Sequence, residues 1–101
     1  MARDQALIDL SKDAYTEITD GVAVDVITFQ ALHGDVFIKY TQDETPPSVG
    51  DRGYRYLDGQ GEAARDPRDF TNWDAPSRVW AIAVDGSGSR VNTARVIVDH
   101  A

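Results

Sequence analysis

The chain has 101 residues, which is enough for one compact domain with one hydrophobic core. Hydrophobic residues make up 42% of it and charged residues 27%, so the composition excludes a wholly disordered protein. With 17 acidic against 10 basic residues and a net charge of −7, the chain repels phosphate groups, and neither nucleic acid nor an anionic membrane is expected as a partner.

The N-terminal residues are open to two interpretations. Apolar residues at helical spacing favour a helix over residues 5–14, whereas residues 8–11 also suit an edge strand. We expect residues 1–10 to be an arm or edge segment and residues 11–101 to form a single domain. Because the chain starts with a charged stretch and no apolar run, we expect no secretory signal peptide and hence synthesis in the cytoplasm.

Strand-like alternation dominates the region from residue 14 to residue 41. A strand is predicted near residues 14–19, followed by an Asp20-Gly21 turn and a β-rich run over residues 22–41. The glycine of His33-Gly34-Asp35 predicts a hairpin turn within this run. After that turn, Val36, Ile38 and Tyr40 share one face of a strand and Phe37, Lys39 and Thr41 share the other. One covered face and one mixed face is typical of a two-layer antiparallel fold.

The composition changes over residues 42–78. This region holds all four prolines and many charged residues, which are unsuited to the interior of a sheet because proline lacks a donor and buried charges need partners. We therefore predict one long polar loop region, with a short strand at residues 53–57 and a second near residues 70–73. Its aromatic residues argue against disorder.

Two more strands are predicted towards the C-terminus, over residues 77–85 and 90–99. The glycine- and serine-rich residues 85–89 between them predict a flexible hairpin loop. On the last strand, Ala94, Val96 and Val98 share one face. With seven to eight short strands in all, the sequence predicts an all-β fold, a small antiparallel sandwich or a jelly-roll-like barrel.

Catalytic chemistry finds little support in the sequence. His33 lies beside a turn glycine and His100 next to the last residue, so neither is placed to act as an oriented base. Asp66, Asp69 and Asp74 could form a glycosidase-like or metal-dependent site, and calcium could bind this loop or residues 85–89. The simpler interpretation is solvated acids beside arginines. We expect a protein that is not an enzyme and that holds neither a cofactor nor a metal.

Aromatic and arginine residues of the polar region are the candidate interaction site. They could cover the open end of the barrel, form a protein interface, or stack against a glycan. The interface candidates are Tyr54, Tyr56, Arg65, Arg68, Phe70 and Trp73.

The order of the strand motifs resembles a known family. The motifs are Ala14-Tyr15-Thr16-Glu17-Ile18, Val26-Ile27-Thr28-Phe29-Gln30-Ala31, Val36-Phe37-Ile38-Lys39-Tyr40, a Thr45-Pro46-Pro47 loop, Gly53-Tyr54, Val79-Trp80-Ala81-Ile82-Ala83 and Val96-Ile97-Val98. In this order they resemble the small β-sandwich virion accessory proteins of tailed bacteriophages, which decorate heads, form the bases of head fibres or associate with tails.

The resemblance implies a structural protein of the virion that lacks catalysis. It would dock on major capsid or tail proteins and on its own copies, as a symmetric homo-oligomer such as a trimer. Apolar strand faces, such as Ile27 with Phe29 or Val91 with Ile97, could form the shared surface, and residues 1–10 could reach a neighbouring subunit. A glycan-binding module that uses the aromatic residues of the 53–73 region is the alternative.

Overall fold

Eight strands form two antiparallel sheets in the computed structural model, which describes residues 6–19, 21, 23–32, 34–50, 53–71, 77–84 and 93–100. The strands are β1 (Ala6–Ser11), β2 (Thr16–Glu17), β3 (Ile27–Leu32), β4 (Val36–Thr41), β5 (Tyr54–Tyr56), β6 (Gly61–Arg65), β7 (Arg78–Ala83) and β8 (Thr93–His100). The first sheet has the four-stranded order β1-β8-β3-β6 and the second the order β2-β7-β4-β5. The predicted all-β fold is confirmed as a small sandwich.

The core lies between the two sheets and is supplied mainly by the central strands β3, β4, β7 and β8. Each sends alternate side chains inward, as strand geometry requires. The inward residues are Ile27, Phe29, Ala31, Val36, Ile38, Tyr40, Val79, Ala81, Ala83, Ala94, Val96 and Val98. The predicted faces of β4 and β8 are confirmed. A shared outer surface built from Ile27 and Phe29 is wrong, because their side chains are 0% and 2% exposed.

The chain crosses from one sheet to the other where the sequence predicted hairpins. The chain runs from β3 in the first sheet to β4 in the second, and Gly34 between them has a φ of 150°. The same crossing separates β2 from β3 and β7 from β8. The hairpins predicted at His33-Gly34-Asp35 and at residues 85–89 are therefore wrong, although residues 85–89 themselves lie outside the described part. A turn signal marks a chain reversal without specifying which strands pair.

The strands around the Asp20-Gly21 turn are shorter than predicted. The predicted strand at residues 14–19 is reduced to β2, and the strand predicted from residue 22 begins at Ile27. Between them Val24 forms an isolated bridge with Ser77. Backbone hydrogen bonds from Ile18 to Val79 and from Val24 to Ser77, both at 2.9 Å, hold this stretch in place of a continuous ladder.

The N-terminal segment is a strand and not a helix. In β1, which pairs with β8 from Ala6↔Val98 to Ser11↔Thr93, exposed Leu7 and Asp9 alternate with inward-facing Ile8 and Leu10. Residues 6–10 therefore form an edge strand that pairs with β8 of the same chain, while residues 1–5 lie outside the described part. Pairing with β8 decides between two patterns that the sequence alone fits equally.

The described residues of the polar region form two edge strands and one helical turn. The predicted strand at residues 53–57 is confirmed as β5. The strand predicted near residues 70–73 is wrong, because Pro67–Phe70 is a turn of 3₁₀ helix, and residues 72 and 73 lie outside the described part. Strand β6 escaped prediction because it has no β-branched residue. No helix in the described part is long and apolar enough to cross a membrane.

A bulge interrupts the pairing of β6 with β3. Ile27 pairs with Arg65 and Phe29 with Glu62, so β6 has one more residue than β3 over this interval. The extra residue lets Ala64 adopt a φ of 50°, the left-handed region that favours glycine. Its backbone N–H donates to Thr28 Oγ1 at 2.8 Å.

We expect Ala64→Gly to stabilise the protein by about 0.5–1 kcal/mol, because glycine adopts this conformation without the steric cost that a Cβ incurs. Ala63→Gly is the matched control and should destabilise the protein, because it only increases the conformational entropy of the unfolded chain. Urea unfolding of both variants measures the two changes. A loss of stability in Ala64→Gly equal to that in Ala63→Gly would contradict this account.

An ion pair fastens β2 to β7. Arg78 donates through Nε to Glu17 Oε2 at 2.8 Å and through a terminal nitrogen to Oε1 at 2.6 Å. The Thr19 hydroxyl and the Gly21 N–H also donate to Oε2. Burial alone would raise the pKa of Glu17, but the hydrogen bonds from Arg78 and Thr19 and the charge of Arg78 hold it below its ordinary value of 4.5.

Because the folded-state pKa of Glu17 is depressed, its stabilising contribution is present at neutral pH and lost as the pH falls through the folded-state pKa. We expect Glu17→Gln to lower the free energy of unfolding by about 1–2 kcal/mol at neutral pH. The difference from the unmodified protein should shrink as the pH falls below 4.5. Urea unfolding at several pH values tests this, with Asp13→Asn as the control, because the Asp13 side chain is 77% exposed and pairs with Lys12 instead of Arg78. A difference independent of pH would refute the assigned cause.

Candidate functional site

Four side chains from four elements meet at one rim of the sandwich, where the edge strands β5 and β6 lie. They are Tyr40, Tyr54, Arg65 and Phe70, and we call them the rim patch. Tyr40 stacks on Phe70 with ring centres 5.5 Å apart and planes 5° from parallel. Tyr54 meets Phe70 edge-on at 5.7 Å, and the Arg65 guanidinium carbon lies 5.0 Å from the Phe70 ring centre. These spacings are those of favourable aromatic and cation–π contacts.

Phe70 is placed by the 3₁₀ helix that carries it. Asp66 caps the helix, because its Oδ1 accepts the Arg68 N–H at 3.0 Å. Pro67 follows at the first helical position and is buried. The local sequence Asp-Pro therefore specifies both the start of the helix and its attachment to the core.

Tyr54 is the exposed member of the rim patch. Its side chain is 51% exposed, yet its hydroxyl donates to the Phe70 carbonyl oxygen at 3.3 Å. The bulge in β6 precedes Arg65, whose guanidinium also lies 3.5 Å from Glu62 and 3.3 Å from Asp69. The exposed ring is thus held by contacts to Phe70, which is itself fixed by Tyr40 and Arg65.

Tyr40 forms the buried floor of the rim patch. Burial raises the pKa of its phenol well above the ordinary value of 10, so the group stays protonated. Its hydroxyl is buried without a hydrogen-bond partner within the part of the chain that the structure describes. The alternation of the sequence predicts Tyr40 on the buried face of β4, and so gives no sign of its contact with Phe70 at the rim.

Tyr56 points into the core rather than to the rim. It is 8% exposed and meets Phe29 edge-on at 5.0 Å. Its hydroxyl donates to Glu62 Oε2 at 3.1 Å, and burial together with this hydrogen bond raises its pKa above the ordinary value. Glu62 also pairs with Arg65, so Tyr56 connects the core to the rim patch from beneath.

A further interface candidate, Arg68, is not part of the rim patch. Arg68 is directed to Asp66 at 2.9 Å and to Asp25 at 3.4 Å. Trp73 lies outside the described part. Of the six candidates, the structure therefore brings together Tyr54, Arg65 and Phe70, places Tyr56 below them, and adds Tyr40.

A small apolar cluster and a groove lie on the outer face of the second sheet. Tyr15, Trp80 and Ile82 form a small apolar cluster there, against which Phe37 packs. Beside it runs a groove of about 520 Å³, whose lining includes Phe37, Val49, Ile82, Lys12 and Arg55. Arg55 is tied to Asp35 at 2.8 Å, which fixes one wall of the groove.

The carboxylates near the rim patch are paired with arginines. The side-chain hydrogen bond from Arg68 lowers the pKa of Asp66 below its ordinary value, and the backbone N–H of Arg68 makes a smaller contribution. The Asp66 carboxylate therefore stays ionised and cannot serve as a general acid near neutral pH. Within the described ranges no cluster of three His, Cys, Asp or Glu could hold a metal ion. Asp74, His33, residues 85–89 and the side chain of His100 lie outside them.

No protein-family model, curated protein sequence or solved structure matches the chain.

Phe70→Ala should lower the free energy of unfolding by about 1–3 kcal/mol, because it removes a partly buried ring that packs on the core. It should also uncover Tyr40, and the pKa of that phenol should fall towards its ordinary value. Urea unfolding and ultraviolet titration of the tyrosines test the two effects.

Leu57→Ala serves as the control for the Phe70 substitution, because Leu57 is 48% exposed and lies outside the rim patch. We expect its stability to stay within about 0.5 kcal/mol of the unmodified protein. An unchanged tyrosine titration in Phe70→Ala would show that Phe70 does not bury Tyr40.

Proposed function

We propose that this protein is a non-enzymatic structural and interaction module that docks on another protein through the rim patch. The identity that suits it best is a virion accessory protein of a tailed phage, made in the host cytoplasm and bound to a major capsid or tail protein. The resemblance of the strand motifs supports this identity. The segments that carry the resemblance include β3, β4, β7 and part of β8, which are the central strands of both sheets.

The observation that carries the proposal is the exposure of a fixed aromatic ring. Tyr54 is 51% exposed while its hydroxyl and ring are both engaged with Phe70. A large ring held in one position loses little conformational entropy on binding, and tyrosine and arginine are enriched among the residues that dominate protein interfaces. Tyr54 and Arg65 supply this pair of residue types.

Charge indicates the kind of protein surface that would fit. Glu62 and Asp69 flank Arg65, and the whole chain has a net charge of −7. A partner surface with basic groups around an apolar pocket would match the exposed Tyr54 ring, the acids beside Arg65 and the net negative charge.

The glycan-binding alternative has narrower support. Tyr40 and Arg65 already lie against the Phe70 ring, so within the described rim patch only Tyr54 offers a ring that is more than half exposed. Sugar stacking would therefore depend on Tyr54 with few aromatic neighbours.

The docking proposal is tested with phage particles that lack the protein, to which purified protein is added back. We expect saturable binding to the particles and a loss of affinity of about tenfold or more in Tyr54→Ala, because Ala removes the central ring of the contact. Tyr54→Phe should retain most of the affinity, since it keeps the ring. Sedimentation of labelled protein with the particles gives the affinities.

Leu57→Ala is the matched control for an exposed apolar side chain outside the rim patch and should bind as the unmodified protein does. Equal binding by Tyr54→Ala would reject the rim patch as the docking site. Binding to a glycan array that is lost in Tyr54→Ala, with no binding to particles, would establish the glycan alternative instead.

A further inference from the structure

The four sheet edges of the sandwich differ in how well they could accept another strand. Natural sheets protect their edges by short strands, bulges, proline or charge. Strand β2 has two residues and β5 has three, while β6 is interrupted by the bulge before Arg65. Strand β1 has six residues and an unbroken register with β8. Only β1 presents a regular edge among the strands of the described part.

The side chains of β1 favour addition of an apolar strand. Leu7 is 55% exposed on the outer face, although it lies in a regular strand. On the inner face Leu10 is buried and Ile8 is partly buried against the core. A strand added beside β1 with apolar inward residues would extend the core across the new boundary and cover Ile8.

We propose that β1 pairs with β1 of a second copy of this chain, antiparallel and about a two-fold axis. The chain's own β1 provides the inward apolar residues that this edge needs, and an antiparallel pair of identical strands is closed by two-fold symmetry. The first sheets of the two copies then form one continuous sheet. This inference does not depend on the proposed docking through the rim patch.

Charge and length select one register for the pairing. Residues directly opposite each other in an antiparallel pair have their side chains on the same face of the sheet. Because side chains alternate along each of the two identical strands, the two-fold axis must lie at a residue that is opposite its own copy, and not between two residues. An axis at Asp9 would oppose two aspartates, and an axis at Leu7 would use a shorter part of the described strand. An axis at Ile8 pairs the two Ile8 side chains and places Leu7 opposite Asp9 of the partner copy. Asp9 is held in this position by Arg95, at 2.7 Å.

The arrangement leaves the rim patch free. Strands β1 and β6 are the two opposite edges of the first sheet, so a second copy on β1 lies at the far edge from Arg65. In a trimer built by edge pairing, β1 of each copy would have to pair with a different edge strand of its neighbour. The other three edge strands, β2, β5 and β6, are short or bulged. We therefore infer a dimer in place of the trimer expected from the resemblance.

Sedimentation equilibrium over a range of protein concentrations tests the pairing. We expect a reversible dimer for the unmodified chain. Leu7→Asp should weaken it by about tenfold or more, because it places like charges opposite each other twice per dimer. Leu7→Lys, opposite Asp9 of the partner copy, should dimerise at least as tightly as the unmodified chain.

Leu57→Asp is the control for added charge, because Leu57 is exposed and lies far from β1 in the sheet order; its dimerisation should be unchanged. Circular dichroism confirms that each variant is folded, and Leu7→Lys keeps the test decisive should Leu7→Asp unfold. A monomer at all concentrations, weakening by Leu7→Lys, or equal effects of Leu7→Asp and Leu57→Asp would overturn the proposal.

The absence of cysteine allows an independent test of the axis. A single Ile8→Cys should form an intermolecular disulfide on mild oxidation, since the axis brings the two side chains together. Gln30→Cys, on the exposed face of β3 in the same sheet, should crosslink much more slowly. Equal rates would exclude an axis at Ile8. Particle binding by the rim patch can fail without affecting any of these results.

Discussion

The rest of the molecule depends on one row of apolar side chains from each of four central strands. Strands β3 and β8 face β4 and β7 across the core, and because side chains alternate along a strand, each strand can give only one face to this core. A shift of one residue in any of them would expose the row and bury its neighbours. The pairings Phe29↔Val98 and Ile38↔Ala81 keep the inward rows in register. This constraint leaves the edges and loops free to carry charge.

The edge strands illustrate how backbone contact can replace side-chain packing. A Cβ at Gly61 would overlap the carbonyl oxygen of Phe29, and one at Gly53 would overlap that of Ile38. Both edge strands of the rim thus begin where a glycine lets the backbone approach a central strand closely. The side chains that follow, Tyr54 and Arg65, are anchored by the backbone and can point to the rim.

The sequence could predict the faces of the strands but not their partners. Alternation along β4 and β8 identified their inward residues, since burial has a period of two. Turn signals at Asp20-Gly21 and His33-Gly34-Asp35 are local, so they could not show that the chain crosses between sheets there. Likewise Tyr54, Arg65 and Phe70 were predicted as a group by composition, while Tyr40 joined them only through a tertiary contact. Prediction fails where long-range pairing, and not local preference, decides the structure.

The net charge of −7 acts in opposite senses on the two proposed contacts. Two copies of the chain repel each other at long range, so pairing through β1 must rely on short-range hydrogen bonds and on the burial of Ile8. Salt screens that repulsion and favours the pairing. Docking of the rim patch on a basic surface gains from the same charge, and salt weakens that attraction. Because the same net charge opposes pairing through β1 and favours docking of the rim patch, a change in salt concentration shifts self-association and partner binding in opposite directions.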